Sequence, residues 1–225
     1  MYNITHKIGG LVLLIGILTK IQKGGMFMSM TILVGPSCGV GKSTLRNYLF
    51  KTKEDVVIFK TNTTRQPRPY ELQQTEEERE YNFWDEKAFE KLVKDGKLFE
   101  HELITNHYYG VLRKDIEKAL KDEFHYIAVV DINGAMNIKK SYPKVLTIFI
   151  LPPSLEVLEE RVRKRDETAT EEFIQGRLNL AKTELERQDF YDHKVINDNL
   201  DETAEVIYNL IQAHNMSLKA SKNSI

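Results

Sequence analysis

Gly41-Lys42-Ser43-Thr44 closes a glycine-rich run that follows a short apolar stretch, Thr31-Ile32-Leu33-Val34, and opens onto Leu45-Arg46-Asn47-Tyr48-Leu49. These residue types in this order suit the binding of a polyphosphate. Glycines let the backbone curl so that successive N–H groups converge on one anion. A helix beginning there adds the positive end of its dipole. In such an arrangement Lys42 bridges the β- and γ-phosphates of a nucleoside triphosphate, and the Ser43 hydroxyl is placed for Mg²⁺. Ser37, Cys38, Gly39, Val40, Gly41, Lys42, Ser43 and Thr44 are the expected cradle. The spacing departs from the usual G-x-x-x-x-G-K-[ST]. Counting back from Gly41 gives Pro36, with Gly35 one residue earlier. Either the loop carries an extra residue or its first turn is built differently. An ordinary glycine-rich turn is the competing reading, and the succession of strand, Gly-x-Gly-Lys-Ser-Thr and helix weighs against it. Cys38 lies near Lys42 and a helix N-terminus, both of which favour thiolate, so a pKa below the reference of about 8.5 is expected, with thiol reactivity that nucleotide suppresses.

A second group of candidates lies further on. Arg65 and Arg68, in Thr64-Arg65-Gln66-Pro67-Arg68, are spaced by a stiff proline and suit another phosphate, since guanidinium forks bind such groups in two-pronged fashion. Tyr81 and Tyr109 could hydrogen-bond the same anion. Glu100 and Asp131 are candidate acceptors for a base that carries N–H donors.

The elements that must hold these residues alternate. Strand-like runs are Thr31–Gly35, Val56–Lys60, Tyr126–Asp131, Val145–Leu151 and Lys194–Asn197. Most are short and rich in β-branched residues, as strands covered on both faces should be. Helical patterns fall at Lys42–Phe50, Gly134–Ser141, Ser154–Arg165, Thr170–Phe190 and Asp201–His214, with Ser154 and Thr170 as N-caps. The alternation predicts an α/β fold with a parallel sheet between helices. Residues 61 to about 115 break the rhythm and read as an inserted lobe, with a helix from Asp85 to Lys94 and a glutamate run, Glu76-Glu77-Glu78-Arg79-Glu80, expected as a solvated loop.

Composition bounds the rest. The 225 residues suffice for one α/β domain with insertions, and a formal net charge of -1 implies no bulk attraction to nucleic acid or to an anionic membrane. One cysteine excludes an internal disulfide and a cysteine zinc site, and fits a reducing compartment, the cytoplasm. The six histidines show no metal-ligand spacing. The apolar run Ile8–Leu18 is shorter than the ~20 residues that span a bilayer. Residues 1–29 are expected to be an extension outside the folded domain, translation starting at Met26, Met28 or Met30, with a membrane anchor as the lesser alternative.

From Met30 to about Ile211 the chain resembles the guanylate kinases, which are P-loop nucleoside monophosphate kinases. The shared motifs are Gly-Pro-Ser followed by Gly-Val-Gly-Lys-Ser, Thr-Thr-Arg-x-Pro-Arg-Pro, Tyr-Asn-Phe, Tyr108-Tyr109-Gly110 and Asp131-Ile132-x-Gly134. Ile148-Phe149-Ile150-Leu151-Pro152-Pro153-Ser154 and Val195-Ile196-Asn197-Asp198-x-Leu200-Asp201 complete them. The resemblance implies a P-loop NTPase-type sheet, an inserted monophosphate-binding lobe at 61–115, a core of 30–60 and 116–215, a lid at about 156–178 and a tail at 216–225. It implies transfer from ATP to GMP, or dGMP, with Mg²⁺ bound at Ser43. Arg65, Arg68, Tyr81 and Tyr109 would hold the GMP phosphate. Glu100 and Asp131 would read guanine, with Thr61 towards its O6 side. Lys42, Arg161, Arg165 and Arg177 would act on the transferring phosphoryl group, and Asn197 would lie beside the adenine. The chain departs from the family at the lengthened P-loop, the glutamate-rich loop before Tyr81, Val111, Val129 (in place of a carboxylate) and Gly176 (in place of an arginine). The alternatives are a related P-loop kinase of another phosphorylated small molecule, such as a ribose bisphosphate, and a catalytically weak binding module of the kind found in scaffold proteins.

Overall fold

The computed structural model describes residues 30–104, 106–165 and 169–223. The apolar run of the N-terminus and the expected starts at Met26 and Met28 lie outside the described residues. The chain order is β1 (Met30–Val34), α1 (Lys42–Thr52), β2 (Val56–Ile58), β3 (Thr61–Thr63), β4 (Tyr81–Phe83), α2 (Glu86–Lys94), β5 (Leu98–Ile104) and β6 (His107–Leu112). It continues with α3 (Arg113–Ala119), β7 (His125–Val129), α4 (Ile132–Ser141), β8 (Leu146–Leu151), α5 (Leu155–Arg165), α6 (Glu171–Leu185), β9 (His193–Ile196) and α7 (Leu200–Asn223).

The expected parallel sheet is present, five-stranded in the order β2-β7-β1-β8-β9. Its strands alternate their side chains between two apolar layers. In β1, Leu33 enters one layer with Leu45, Leu158 and Leu178, whereas Met30, Ile32 and Val34 enter the other with Ile116, Ala135 and Ile138. The first layer is covered by α1, α5, α6 and α7, and the second by α3 and α4. Each large aliphatic side chain so buried contributes about 1.5–3 kcal/mol. That continuous burial explains why these strands read as apolar runs. Because all five strands are parallel, their carboxyl ends, where β1 enters the glycine loop, lie at one edge, the usual ligand edge of such sheets.

The inserted lobe holds more order than its sequence announces. It forms a second, four-stranded mixed sheet, β4-β3-β6-β5, over a small core of Phe89, Leu92, Leu98 and Leu112. Of its elements the sequence predicted only α2, which Asp85 caps through Ala88 N (2.8 Å). Two other differences have plain causes. The expected helix to Phe190 ends at Leu185 and tightens into a 3-10 turn at Gln188–Phe190. The last helix, expected to stop at His214, runs on to Asn223 through the segment expected as a tail, since neither Gly nor Pro interrupts residues 215–223.

Candidate functional site

The glycine loop carries one extra residue, and the backbone absorbs it. Val40 N bonds Cys38 O at 2.9 Å, closing a three-residue turn centred on Gly39 at φ 70°. A side chain at Gly39 would be strained there and would meet Leu158 Cδ1 at 2.7 Å. The turn directs Cys38 inward, to 8% exposure, with its Sγ 3.8 Å from the Arg177 carbonyl. This overturns the expected thiolate. Burial pushes the Cys38 thiol up, and this outweighs the opposing pull of Arg177 and Lys42.

Gly41 is the N-cap of α1 at φ 83°, with no side chain capping the helix and no acid in its first turn. By contrast α2, α4 and α6 are capped by Asp85, Asp131 and Thr170. The N–H groups of α1 are thus left for an external anion. Lys42 folds over the loop and donates from Nζ to Gly35 O (3.0 Å) and to Pro36 O. Burial lowers its pKa to about 8 against the raising effect of Glu184, Cys38 and Glu80. Asn197 braces the loop from behind: its Nδ2 donates to Val40 O (2.8 Å), while its carbonyl accepts from Arg161 Nη1 (3.0 Å).

Helix α6 reaches the loop at two points. Besides the Arg177 carbonyl at Cys38, Glu184 accepts from Ser37 N (2.7 Å) and Ser37 Oγ (2.5 Å). Arg177 lies over the Phe173 ring at 5.1 Å. Arg165 is exposed at the end of α5, and its charge, like that of Arg177, is felt at Cys38. Gly176, the helical neighbour of Arg177, faces open space.

The second group of candidates, Arg65, Arg68, Tyr81 and Tyr109, is a cluster of side chains. Arg65 sits over the rings of Tyr81 (5.2 Å) and Phe83 (5.5 Å), and Tyr81 meets Tyr109 edge-on at 6.0 Å. The register explains the grouping: Thr63 on β3 lies beside Phe83 on one side and Tyr109 on the other. Glu71 holds Arg65 through two bonds of 2.8 Å and accepts Arg68 N at 2.5 Å. Burial alone would push Glu71 up, but these bonds outweigh it and keep the carboxylate ionised. Arg68 also donates from Nη1 to Tyr70 Oη (3.1 Å).

Glu100 on β5 crosses to α4. Asn137 Nδ2 donates to its Oε2 (3.3 Å), and a Cβ at Gly134 would collide with its Oε1. Asp131, the α4 cap, bonds Gly134 N at 2.9 Å. The two predicted carboxylates therefore converge at the start of α4. Burial first, and then Asp131, push Glu100 up to about 7. Such a pair gains most from a ligand that offers N–H donors. Thr61 lies buried on β3, at 6% exposure. Val111, at 2% exposure, belongs to the core.

One residue behaves unlike its expectation. Glu80, read as part of a solvated run, turns inward to 14% side-chain exposure. Its carboxylate lies 3.2 and 3.4 Å from Ser43 Oγ and pairs with Arg46 at 3.1 Å. Glu76 follows the expectation and stays exposed, with 64% of its side chain in solvent. Glu71, Glu80, Asn137 and Glu184 are the site residues that sequence reasoning missed. Their partners are 6, 37, 37 and 147 positions away. Periodicity carries no trace of such pairings.

Comparison with known proteins points to one family. The family model described as Guanylate kinase matches residues 27–214. A guanylate kinase of Oceanobacillus iheyensis is 34% identical over 195 residues, covering 87% of this chain and 90% of the relative. One from Rickettsia prowazekii is 38% identical over 182 residues, covering 81% and 89%. The crystal structure of guanylate kinase from Anaplasma phagocytophilum superposes with a TM-score of 0.66 at 29% identity, covering 85% of this chain and 88% of that one. The chain belongs to the guanylate kinase family.

Proposed function

We propose that this chain transfers the γ-phosphoryl group of ATP to GMP, and to dGMP, giving ADP and the nucleoside diphosphate. The observation that carries this reading is the pairing of two anion cradles of different kinds with a carboxylate pair, Glu100 and Asp131, at the junction of lobe and core. The glycine loop suits the donor's phosphates. Arg65, Arg68, Tyr81 and Tyr109 suit the acceptor's single phosphate. Glu100 and Asp131 suit guanine, whose N1–H and N2–H₂ are donors where adenine offers none.

The chemistry asks for positioning and charge. The acceptor phosphate is itself the nucleophile, so no general base is required. Lys42 places a cation on the β- and γ-phosphates. Arg161, Arg165 and Arg177 approach from α5 and α6 and neutralise charge that develops in transfer. Closure of the lid, about 156–178, over the lobe excludes water and aligns the two phosphates. Asn197 walls the loop on the side assigned to adenine. Ser43 Oγ, on the first turn of α1, is a hard oxygen donor that fits Mg²⁺. What Mg²⁺ supplies there, when bound, is neutralisation and alignment of the phosphate oxygens.

Among the described residues no helix is long and apolar enough to cross a membrane. We assign the enzyme to the cytoplasm on its single buried cysteine and on the location of its nucleotide substrates. The test is ADP release measured with GMP, dGMP, AMP, UMP and a ribose bisphosphate as acceptors. Turnover with the guanine nucleotides alone supports the reading. Preference for ribose bisphosphate, or no turnover with any acceptor, refutes it.

A further inference from the structure

P-loop NTPases hold Mg²⁺ with the loop Ser or Thr and a carboxylate at the end of a neighbouring strand. Here that second position is apolar. Strand β7, which pairs with β1, ends in Ala128-Val129 and continues into Val130, all packed into or against the apolar layers. The first acid beyond it, Asp131, spends an oxygen on the cap of α4. No carboxylate from β7 therefore reaches Ser43.

Glu80 does reach it, from the other side. It precedes Tyr81, on a lobe strand, and its own carbonyl accepts Thr61 N (3.0 Å), which fixes the backbone. Its two oxygens lie 3.2 and 3.4 Å from Ser43 Oγ. Arg46, one turn along α1 and 1% exposed, brackets the same carboxylate at 3.1 and 3.2 Å. Arg46 Nη1 is buried with no hydrogen-bond partner of proper geometry. Arg46 thus anchors the Glu80 carboxylate beside Ser43, and its spare N–H is left for an acceptor such as a phosphate oxygen, not for a cation. A carboxylate offers about four lone-pair positions, so Arg46 leaves room on the face turned to Ser43. Mg²⁺ takes one or two carboxylates and completes its shell with substrate phosphates and water.

We propose that Glu80 supplies the carboxylate of the Mg²⁺ shell, delivered by the monophosphate lobe rather than by the strand beside the P-loop. The inference rests on the kinase reading above and adds the metal's protein partner to it. It also gives the lobe a part in metal binding: the segment that presents Tyr81 to the acceptor presents Glu80 to the metal.

The experiment is calorimetric titration of ADP into the full chain, once in EDTA and once in Mg²⁺. The metal's contribution is the ratio of the two dissociation constants, so each protein is its own reference. The wild type should bind ADP more tightly with Mg²⁺. Glu80→Gln, which keeps one acceptor for Arg46, should lower the ratio about tenfold or more. Glu80→Asp keeps the charge but withdraws the oxygens, and should fall between. Glu78→Gln removes a nearby charge that faces Lys51 (3.7 Å), keeps an acceptor for Thr75 N (3.1 Å), and should leave the ratio as it is. Binding of Mn²⁺ to the ADP complexes, followed by paramagnetic resonance, should rank the four proteins in the same order. A Glu80→Gln ratio within twofold of wild type overturns the proposal, and so does an equal fall in Glu78→Gln, which would mean a diffuse field. Absence of ADP binding to the wild type even in Mg²⁺ refutes the kinase reading itself.

Discussion

The two proposed anion cradles of this molecule are built on different principles. The P-loop cradle is made of backbone: N–H groups at an uncapped helix start, a curled glycine turn and one lysine. The lobe cradle is made of side chains, two arginines and two tyrosines held by a carboxylate on a small sheet. A backbone cradle is tolerant of sequence, which is why one inserted residue could be absorbed by a turn at Gly39 with Cys38 packed inward. A side-chain cradle has no such slack. Each guanidinium must be aimed by a partner, and losing that partner misplaces it.

Lys42 is the side chain that brings a positive charge into the proposed backbone cradle, so its loss should be the largest effect. Lys42→Ala should cut phosphoryl transfer at least ~10²–10³-fold, the scale of losing a preorganised charge donor. The melting temperature should change little, because Lys42 Nζ bonds only loop carbonyls. Near wild-type transfer by the folded variant would break the contrast at its root.

Glu71 tests the other side. It is 5% exposed and holds Arg65, 13% exposed, with two bonds. Glu71→Ala leaves a part-buried guanidinium unpaired, and such losses cost ~3–5 kcal/mol when fully buried. Partial exposure of Arg65 reduces that to about 2 kcal/mol here. Chemical denaturation should show this loss. The GMP KM should rise roughly tenfold, against little change for ATP, as expected when a side-chain aim is lost. Equal rises for both substrates would mean that the lobe is not a separate cradle.

The two cradles were also legible to different degrees, and for the same reason. The backbone cradle announces itself through spacing, because Gly, Lys and Ser must follow one another along the chain. Arg65, Tyr81 and Tyr109 come together only through the pairing of β3 with β4 and β6, which no local pattern encodes. Residue chemistry suggested one anion for them, and the family resemblance implied the acceptor phosphate, but no local pattern placed them side by side. The core strands were readable since burial on both faces writes them as apolar runs, whereas β3 (Thr-Asn-Thr) and β4 (Tyr-Asn-Phe) are three residues each, too short to show a period. Glu80 was misread because a run of glutamates looks solvated, and only the fold turns one of them onto Arg46. The Cys38 thiolate was misjudged because sequence shows neighbours in charge but not the depth at which a side chain lies.

Glu100 sharpens the comparison through pH. Its pKa of about 7 in the free protein means that the acceptor form dominates only above neutrality. The direction follows from the ligand: a carboxylate accepts from guanine N1–H and N2–H₂, and a protonated acid accepts less well. The GMP KM should therefore rise as pH falls through about 7, and level off above it. Glu100→Gln should raise the GMP KM by about tenfold at pH 8, the scale of a lost charge-assisted bond. It should also flatten the profile down to the titration of the substrate phosphate, near ~6. The ATP KM should show neither change. A wild-type GMP profile identical to that of the variant would remove Glu100 from base recognition.

Gly176 should give the smallest effect, and it probes the backbone side alone. It lies in the middle of α6, the helix that touches the P-loop through the Arg177 carbonyl and Glu184. A Cβ there would meet nothing within 4 Å, and the backbone is not in the left-handed region. Glycine at such a position costs about 0.5–1 kcal/mol relative to alanine, through the freedom of the unfolded chain. Gly176→Ala should recover that amount, which for a chain of this size is about 1–4 °C in Tm. The discrimination of GMP from AMP should not move, because the proposed base site sits on β5 and α4 and a Cβ at Gly176 would meet none of it. A stabilised protein with unchanged discrimination keeps the two cradles separable. A shift in discrimination from a methyl group on α6 would show that the lid helix and the base site are coupled, and the division drawn between them would have to be abandoned.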